Sequence, residues 1–325
     1  MKNAHIRRAI NGKPLEIQRQ PGALCFFQLP AAVEIPVQCK YNKKHTFKFY
    51  LKLKLVAIFN VWNDYYLLRH AVDNIRQIVE GILIIASTKS NYGEVSAIPK
   101  EWQNEELFVR EPRYHIPLHS ETDKRNYGLE IAKSKGYTHF ITMDSDEFYR
   151  PDEFLKAKEK VSRENLNGIV CPVVVYFKSP ALTLGRDVTL VPHIHKLTPT
   201  IRHEFNRGYP YAWHGSQIRI DPSRSLNINT GVSYMDDVEM HHYSWIRKDY
   251  HLKIRNSTAR KNLERSTMLT DLSQATEGYY VQFYRKRLSR ATVSFGIHEY
   301  NPEGTAVFRE DLQPGTAGNS LHFPG

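Results

Sequence analysis

The chain lacks what several protein classes require. None of its apolar runs approaches the ~18 residues of a membrane-crossing helix. The basic opening MKNAHIRRAINGKPLEIQRQPG has no apolar stretch of the kind that forms a secretory leader. Cysteine is scarce: Cys25, Cys39 and Cys171 are too few and too irregularly spaced for a disulfide framework or a cysteine zinc site. These absences lead to the expectation of a cytoplasmic protein in a reducing compartment. Acidic residues are in deficit, with 34 Asp and Glu against 45 Lys and Arg, for a formal net charge of +11. A balance of this sign favours a polyanionic partner: nucleic acid, an anionic membrane surface or a phosphorylated substrate.

What is present is enough for a sizeable core: 325 residues, 41% of them hydrophobic. Residues 1–53 show no sustained periodicity and end in the basic patch KYNKKHTFKFYLKLK, whose alternation suits an edge strand with one wet face. From Leu55 the pattern becomes regular. LVAIFNV and ILIIAS are continuous apolar runs, as strands buried on both faces would be. Between them, DYYLLRHAVDNIRQIVEG places apolar residues at helical spacing. ELFVRE, the helix SETDKRNYGLEIAKSKG and the strand THFITMD continue the alternation. The expected fold is α/β: a mostly parallel, Rossmann-like sheet flanked by helices over residues 54–245. In such sheets ligands sit beyond the carboxyl ends of the strands. Further on, IVCPVVVYFK, VTLVPHIHKL and SQIRI read as strands, and RKDYHLKIRNSTARKNLERS and EGYYVQFYRKRLSR as helices, making 246–300 a basic helical region. Residues 301–325, rich in Pro and Gly, read as a flexible tail.

The chemistry concentrates in THFITMDSDEFYRPDEF, residues 138–154. Asp144, Asp146 and Glu147 follow directly on an apolar run. Asp152 and Glu153 open a helix after Pro151 and are explained by its positive end. Asp144 and Asp146, one residue apart at a strand end, can aim two carboxylates at one point. Buried there, they need a basic side chain or a hard divalent cation, and oxygen ligands favour Mg²⁺ or Mn²⁺. Such a cation completes its shell with water and substrate phosphates, which points to a nucleoside diphosphate. DKRNYG, residues 123–128, offers cationic and amide donors one helix upstream, and DDVEMHHYSWIRK, residues 236–248, offers His241 or His242 as a further ligand.

This ordered set resembles the GT-A nucleotide-sugar glycosyltransferases. It is most similar to the family-two-like group whose motif reads D-x-D-E-F, with residues 54–155 matching well and HHYSWIRKD similar to that group's C-terminal His motif. The resemblance implies a hexosyl- or pentosyltransferase with a GT-A catalytic domain over residues 54–245, a nucleotide-sugar donor and Mn²⁺ or Mg²⁺. Asp146 is the implied direct metal ligand, with Asp144 on metal or ribose and His242 preferred over His241 to complete the shell. Arg125 and Asn126 match the position that contacts the sugar nucleotide. Asn60, Trp62 and Asp64 match where the nucleobase is held. At the second strand, where many members carry an acid, this chain has Ser87 and Thr88, so a UDP-sugar is the expected donor with the base left open. For an inverting transfer the base would be Asp237, with Asp236 and Glu239 as alternatives. The basic segment 247–265 with its neighbouring tyrosines is the expected surface for a polyanionic acceptor, such as the hydroxymethylated DNA of a phage-type enzyme. A cell-surface polysaccharide or lipid-linked glycan is the alternative. A nucleotidyltransferase is disfavoured, because FNVWNDYY lacks the Gly-rich loop that such enzymes place after the first strand.

Overall fold

The structure is a computed structural model that describes residues 53–103, 106–204, 222–228, 230–247 and 249–297, together with the backbone of a few short strands outside them. The chain divides into two units, residues 1–54 and 55–325. In the first, Val37–Lys40 pairs antiparallel with Lys48–Leu51, so the alternating HTFKFYLKLK segment contributes one strand of a hairpin. Ala9–Ile10 pairs with Lys13–Pro14. The SQIRI segment lies outside the described residues.

The second unit is built from β1 (Leu55–Val61), α1 (Tyr65–Ile75), β2 (Gly81–Ala86), β3 (Leu107–Val109), α2 (Pro117–Ser134), β4 (His139–Asp144), β5 (Glu147–Tyr149), α3 (Pro151–Glu164), β6 (Gly168–Phe177), β7 (Ser179–Lys196), β8 (Val232–Tyr234) and β9 (Met240–Trp245). Beyond these come α4 (Tyr250–Asn256), α5 (Arg260–Glu264), α6 (Met268–Gln274), the short strands β10 (Tyr280–Val281), β11 (Lys286–Arg287) and β12 (Ser289–Arg290), and the pair β13 (Ile297–Tyr300) with β14 (Ala306–Phe308).

A ten-stranded sheet organises this unit in the order β3-β2-β1-β4-β7-β6-β9-β5, with β8 beside β6 and β12 beside β7. Strands β3, β2, β1 and β4 are mutually parallel. Strand β7 runs antiparallel between β4 and β6, and β9 returns to the parallel direction beside β6. Only β5 and β7 run against the rest, so the fold is α/β with a mostly parallel sheet, as the alternation of apolar runs and helices implies. The register brings Asn60 opposite Asp144 and Val61 opposite Ala86. The exits of β1, β2 and β4 therefore share one edge, where Asn60, Ser87 and Asp144 come together.

Helix α2 packs on the sheet through Leu129 and Ala132 against Val56, Ile58, Leu83, Ile85 and Phe140. Its Gly128 makes the closest approach: a Cβ there would stand 2.5 Å from Ile58 Cγ2. The glycine of the R-N-x-G motif is thus a packing requirement, and it places Arg125, one turn earlier, hard against the strand ends. Helix α1 buries Leu67, Leu68, Ala71, Val72 and Ile75 of the stripe its spacing predicted, and ends before Ile78 and Val79, which that stripe also included.

Two expectations fail in the C-terminal region. EGYYVQFYRKRLSR forms no helix; it makes the β10–β11 hairpin and β12. The fully buried Asp271 carboxylate takes the backbone N–H of Gln282 (3.2 Å) and of Phe283 (3.0 Å), which fixes a turn where a helix would have to pass. The basic helix is broken into α4 and α5, because Ser257 is extended (φ −70°, ψ 140°) and caps α4. In the segment read as a tail, β14 pairs with β13. Among the described residues no helix is long and apolar enough to cross a membrane.

Candidate active site

A cavity of about 430 Å³ opens at the carboxyl ends of β1, β2 and β4. Its lining includes Asn60, Trp62 and Asp64 from the β1–α1 exit, Ser87 from the end of β2, and Lys124 from α2. Asp144, Asp146 and Glu147 join them from the β4–β5 turn, Asp187 from β7, His242 from β9, and Lys253 from α4. This is the position expected for a ligand in a parallel sheet.

The D-x-D-E-F segment owes its shape to β5. After Asp144 the chain turns, and Glu147, Phe148 and Tyr149 pair antiparallel with His242, His241 and Met240. That register sets the two motifs side by side. His242 Nε2 stands 3.6 Å from Asp146 Oδ1. One ligating atom from each of Asp146, Glu147 and His242 lies within 4.8 Å of the other two. His241 points away: its Nδ1 contacts the Tyr176 hydroxyl at 3.1 Å, and burial lowers it to a pKa of about 3. Of the two histidines, His242 is therefore the one placed for a metal.

Four acids meet four bases here. Asp144 accepts from Arg125 (3.1 Å) and Arg224 (2.6 Å). Glu147 is paired with Arg224 as well, and accepts the backbone N–H of Asp144 at 3.1 Å. Asp146 accepts from Lys253 Nζ at 3.1 Å. Asp64 is bound by Arg247. The titration of each acid follows from the contest between burial and these partners. Burial pushes Asp144 up, but Arg125 and Arg224 outweigh it and hold the carboxyl below its ordinary value. Burial likewise works against Asp146, yet Lys253 and then His242 take it well below. For Glu147 and Asp64 burial wins over Arg224 and Arg247, and both are raised. Lys124 donates to the Val61 carbonyl (2.6 Å) and the Ser87 hydroxyl (3.1 Å), and burial lowers its pKa to about 7.

The sequence-expected residues divide into three groups. Asn60, Trp62, Asp64, Ser87, Asp144, Asp146 and His242 line the cavity together. Arg125 is wholly buried behind Asp144 and bonded to it, so it positions that carboxylate and does not line the cavity. Asn126 is turned away: it clamps the backbone of His203, with its Nδ2 donating at 2.9 Å and its Oδ1 accepting at 2.7 Å. Asp237 and Glu239 also lie outside the lining. They precede β9 and stand toward its amino end, whereas the cavity opens at the carboxyl ends. Glu239 and Asp236 are held by Arg186, and Asp237 faces a separate hollow beside Lys156 and Lys160.

Five residues of the site escaped the sequence reading as participants: Glu147, Arg224, Arg247, Lys253 and Asp187. Asp187 lines the cavity from β7 and accepts from Thr189 Oγ1 at 2.7 Å, with no basic partner among the described residues. On the rim, Arg255 pairs with Glu94 and Arg260 with Glu264. Part of the positive charge read as a polyanion surface is thus compensated within the chain.

No protein-family model matches the chain, and no curated protein matches it. Among solved structures it is similar to S. aureus TarS 1–349, at 13% identity over 65% of this chain and 66% of that one, with a TM-score of 0.34. The same TarS fragment in complex with UDP-GlcNAc gives 14% identity over 65% and 67% of the two chains, with a TM-score of 0.35. A mannose-1-phosphate geranyltransferase from Thermus thermophilus gives 11% over 40% and 44%, with a TM-score of 0.26. The chain thus spans about two-thirds of the TarS fragment's length and less than half of the geranyltransferase's. What the site can do is set by its own residues.

Proposed function

We propose that the chain is a glycosyltransferase that takes a sugar from a nucleoside-diphosphate donor, with a divalent cation in the site. The observation that carries this is the convergence of Asp146, Glu147 and His242 within 4.8 Å at the strand ends of a cavity large enough for such a donor. Two carboxylates and an imidazole suit Mn²⁺ or Mg²⁺, Mn²⁺ the better for the nitrogen. Asp146, Glu147 and His242 are the residues that would hold it. When bound, the cation supplies Lewis-acid stabilisation of the charge on a departing diphosphate.

The chain's own groups do the rest. Asn60, Trp62, Asp64 and Ser87 form the wall at the β1 and β2 exits and would hold the nucleoside; Asn60 Oδ1 and Trp62 Nε1 have no hydrogen-bond partner among the described residues. Arg125 and Arg224 fix the Asp144 carboxylate toward the same space. Asp64, Glu121, Asp144, Asp146, Glu147 and Asp187 stand against Lys89, Lys124, Arg125, Arg224, Arg247 and Lys253, which leaves the site close to neutral, so a donor diphosphate needs added positive charge, which a divalent cation would provide. Asp187, across the cavity on β7 and without a basic partner among the described residues, takes the place expected of Asp237 as the base. As the bond between the anomeric carbon and the diphosphate oxygen breaks and the acceptor oxygen bonds to that carbon, an Asp187 carboxylate oxygen receives the acceptor hydroxyl's proton. The expected donor is a UDP-sugar.

The test is a panel of nucleotide sugars assayed for Mn²⁺-dependent hydrolysis and transfer by the full chain and by D146N. The expected result is activity with at least one donor, dependent on added Mn²⁺ and lost in D146N. Turnover by D146N at the wild-type rate would remove the metal role.

A further inference from the structure

Of the four cations that neutralise the acid cluster, three are locked in place and one is not. The side chains of Arg125, Arg224 and Arg247 are 0, 5 and 4% exposed, whereas that of Lys253 is 26% exposed. Arg224 joins two carboxylates and Arg125 is bonded to Glu121 as well as Asp144. Among the described residues Lys253 makes one ion pair, to Asp146 Oδ2 at 3.1 Å, from the end of a flexible four-carbon stem on the seven-residue helix α4. Its partner is the carboxylate whose other oxygen faces His242 at 3.6 Å. One carboxylate, 2% exposed, is thus shared between a displaceable ammonium and the ligand atoms of the candidate metal centre.

We propose that Lys253 is a resident counter-charge which yields Asp146 to a divalent cation, and that its freed ammonium is then taken up by the donor's diphosphate. The inference rests on the metal-assisted reading above and adds to it a coupling between the two ligands. Without a diphosphate, a cation arriving at Asp146 gains a carboxylate but strands an ammonium beside Arg247 and itself, and like charges at that distance oppose binding. With a diphosphate present, the ammonium has a new anionic partner. Cation and donor therefore bind poorly apart and well together, and the coupling is reciprocal. Lys253 and Asn256 of α4 and the turn after it, residues 257–259, line the cavity, so the freed ammonium is within the space a donor would fill.

The experiment measures Mn²⁺ binding, by the loss of the free-ion electron paramagnetic resonance signal, to the full chain with and without UDP or GDP. K253M keeps the stem and removes the charge; K253Q is a second neutral variant and K253R keeps the charge. In the wild type, a nucleotide is expected to tighten Mn²⁺ binding on the order of 10-fold or more, within the usual span of coupling between sites. K253M and K253Q are expected to bind Mn²⁺ alone about 10-fold tighter than the wild type and to lose most of the coupling, while K253R behaves as the wild type does. If the neutral variants bind Mn²⁺ no tighter and keep the coupling while the wild type binds the ion, the role of Lys253 is overturned and the metal site stands. If none of the four proteins binds Mn²⁺ with either nucleotide, the metal-assisted reading falls and this inference falls with it.

Discussion

Replacing Arg224 by Met tests whether the acid cluster is held together by charge. Arg224 is 5% exposed and bonds both Asp144 and Glu147. The two acids do not lose equally. Asp144 is 28% exposed and keeps Arg125 at 3.1 Å, whereas the Glu147 side chain is 0% exposed and keeps the backbone N–H of Asp144. Removing one partner of a buried ion pair costs about 3–5 kcal/mol, because the other charge stays buried. For a unit of this size, residues 55–325, that corresponds to a fall in Tm of about 5–9 °C. The sign with pH follows from Glu147. Burial already raises its carboxyl, and without the guanidinium it rises further. A carboxyl raised in the fold keeps a proton that the unfolded chain has released, so stability declines as pH climbs above the unfolded value of about 4.3. The deficit of R224M is therefore expected to be small near pH 4 and full near pH 8. Urea unfolding at both values reads it directly. The double variant R224M/E147Q is expected to recover most of the loss, because a neutral amide needs no counter-charge. A deficit under about 1 kcal/mol, or one that neither changes with pH nor is relieved by E147Q, would refute the charge argument.

Two further outcomes follow from single side chains. D187N is expected to lower the transfer rate about 10²–10⁴-fold, the usual contribution of a positioned base, with donor affinity unchanged; transfer kinetics alongside donor binding check it, and wild-type turnover would remove Asp187 from that role. Lys124 is lowered to about 7 by burial, so between that value and the unfolded value of about 10.4 the unfolded chain binds the extra proton. The burden of its buried charge is full below pH 7 and fades as pH rises toward 10.4, which makes K124M flatten the rise in stability seen by urea unfolding across that range.

The parts of the fold visible in the sequence are those whose burial is uniform. Strands β1 and β2 lie in the parallel part of the sheet, so almost every residue is apolar and the run announces itself. Helix α1 buries one stripe, which its spacing displays. The segment 280–290 failed because its shape is dictated by Asp271, a buried carboxylate in a different element that binds the backbone of Gln282 and Phe283. No local pattern records such a partner. At Ser257 the break is local: Asn256, Ser257 and Thr258 are weak helix formers, and the Ser257 hydroxyl accepts the backbone N–H of Ala259 at 3.1 Å.

The site shows the same division between what is local and what is folded into place. Asp144 and Asp146 were legible because acids at the exit of a buried strand are anomalous, and anomalies of charge are visible without a structure; that His242 and not His241 joins them follows from the pairing of β5 with β9. The bases that balance them were not, because lysine and arginine are common and unremarked on any basic chain. Arg224 comes from a stretch with no motif, and its bonds to Glu147 and Asp144 span 77 and 80 residues. Lys253 was read as one basic residue among many on a surface for a polyanionic acceptor, yet it is the group bonded to the carboxylate that a metal would need. Asp237 was misplaced for a simpler reason. The end of a sheet at which a carboxylate emerges depends on its place along the strand, and Asp237 precedes β9, which runs Met240–Trp245, so it stands at the amino end. Charge balance thus alters the meaning of the acids the sequence displays. A carboxylate without a partner calls a cation in unconditionally; on the proposal above, Asp146, already matched by Lys253, admits one only when another anion arrives with it.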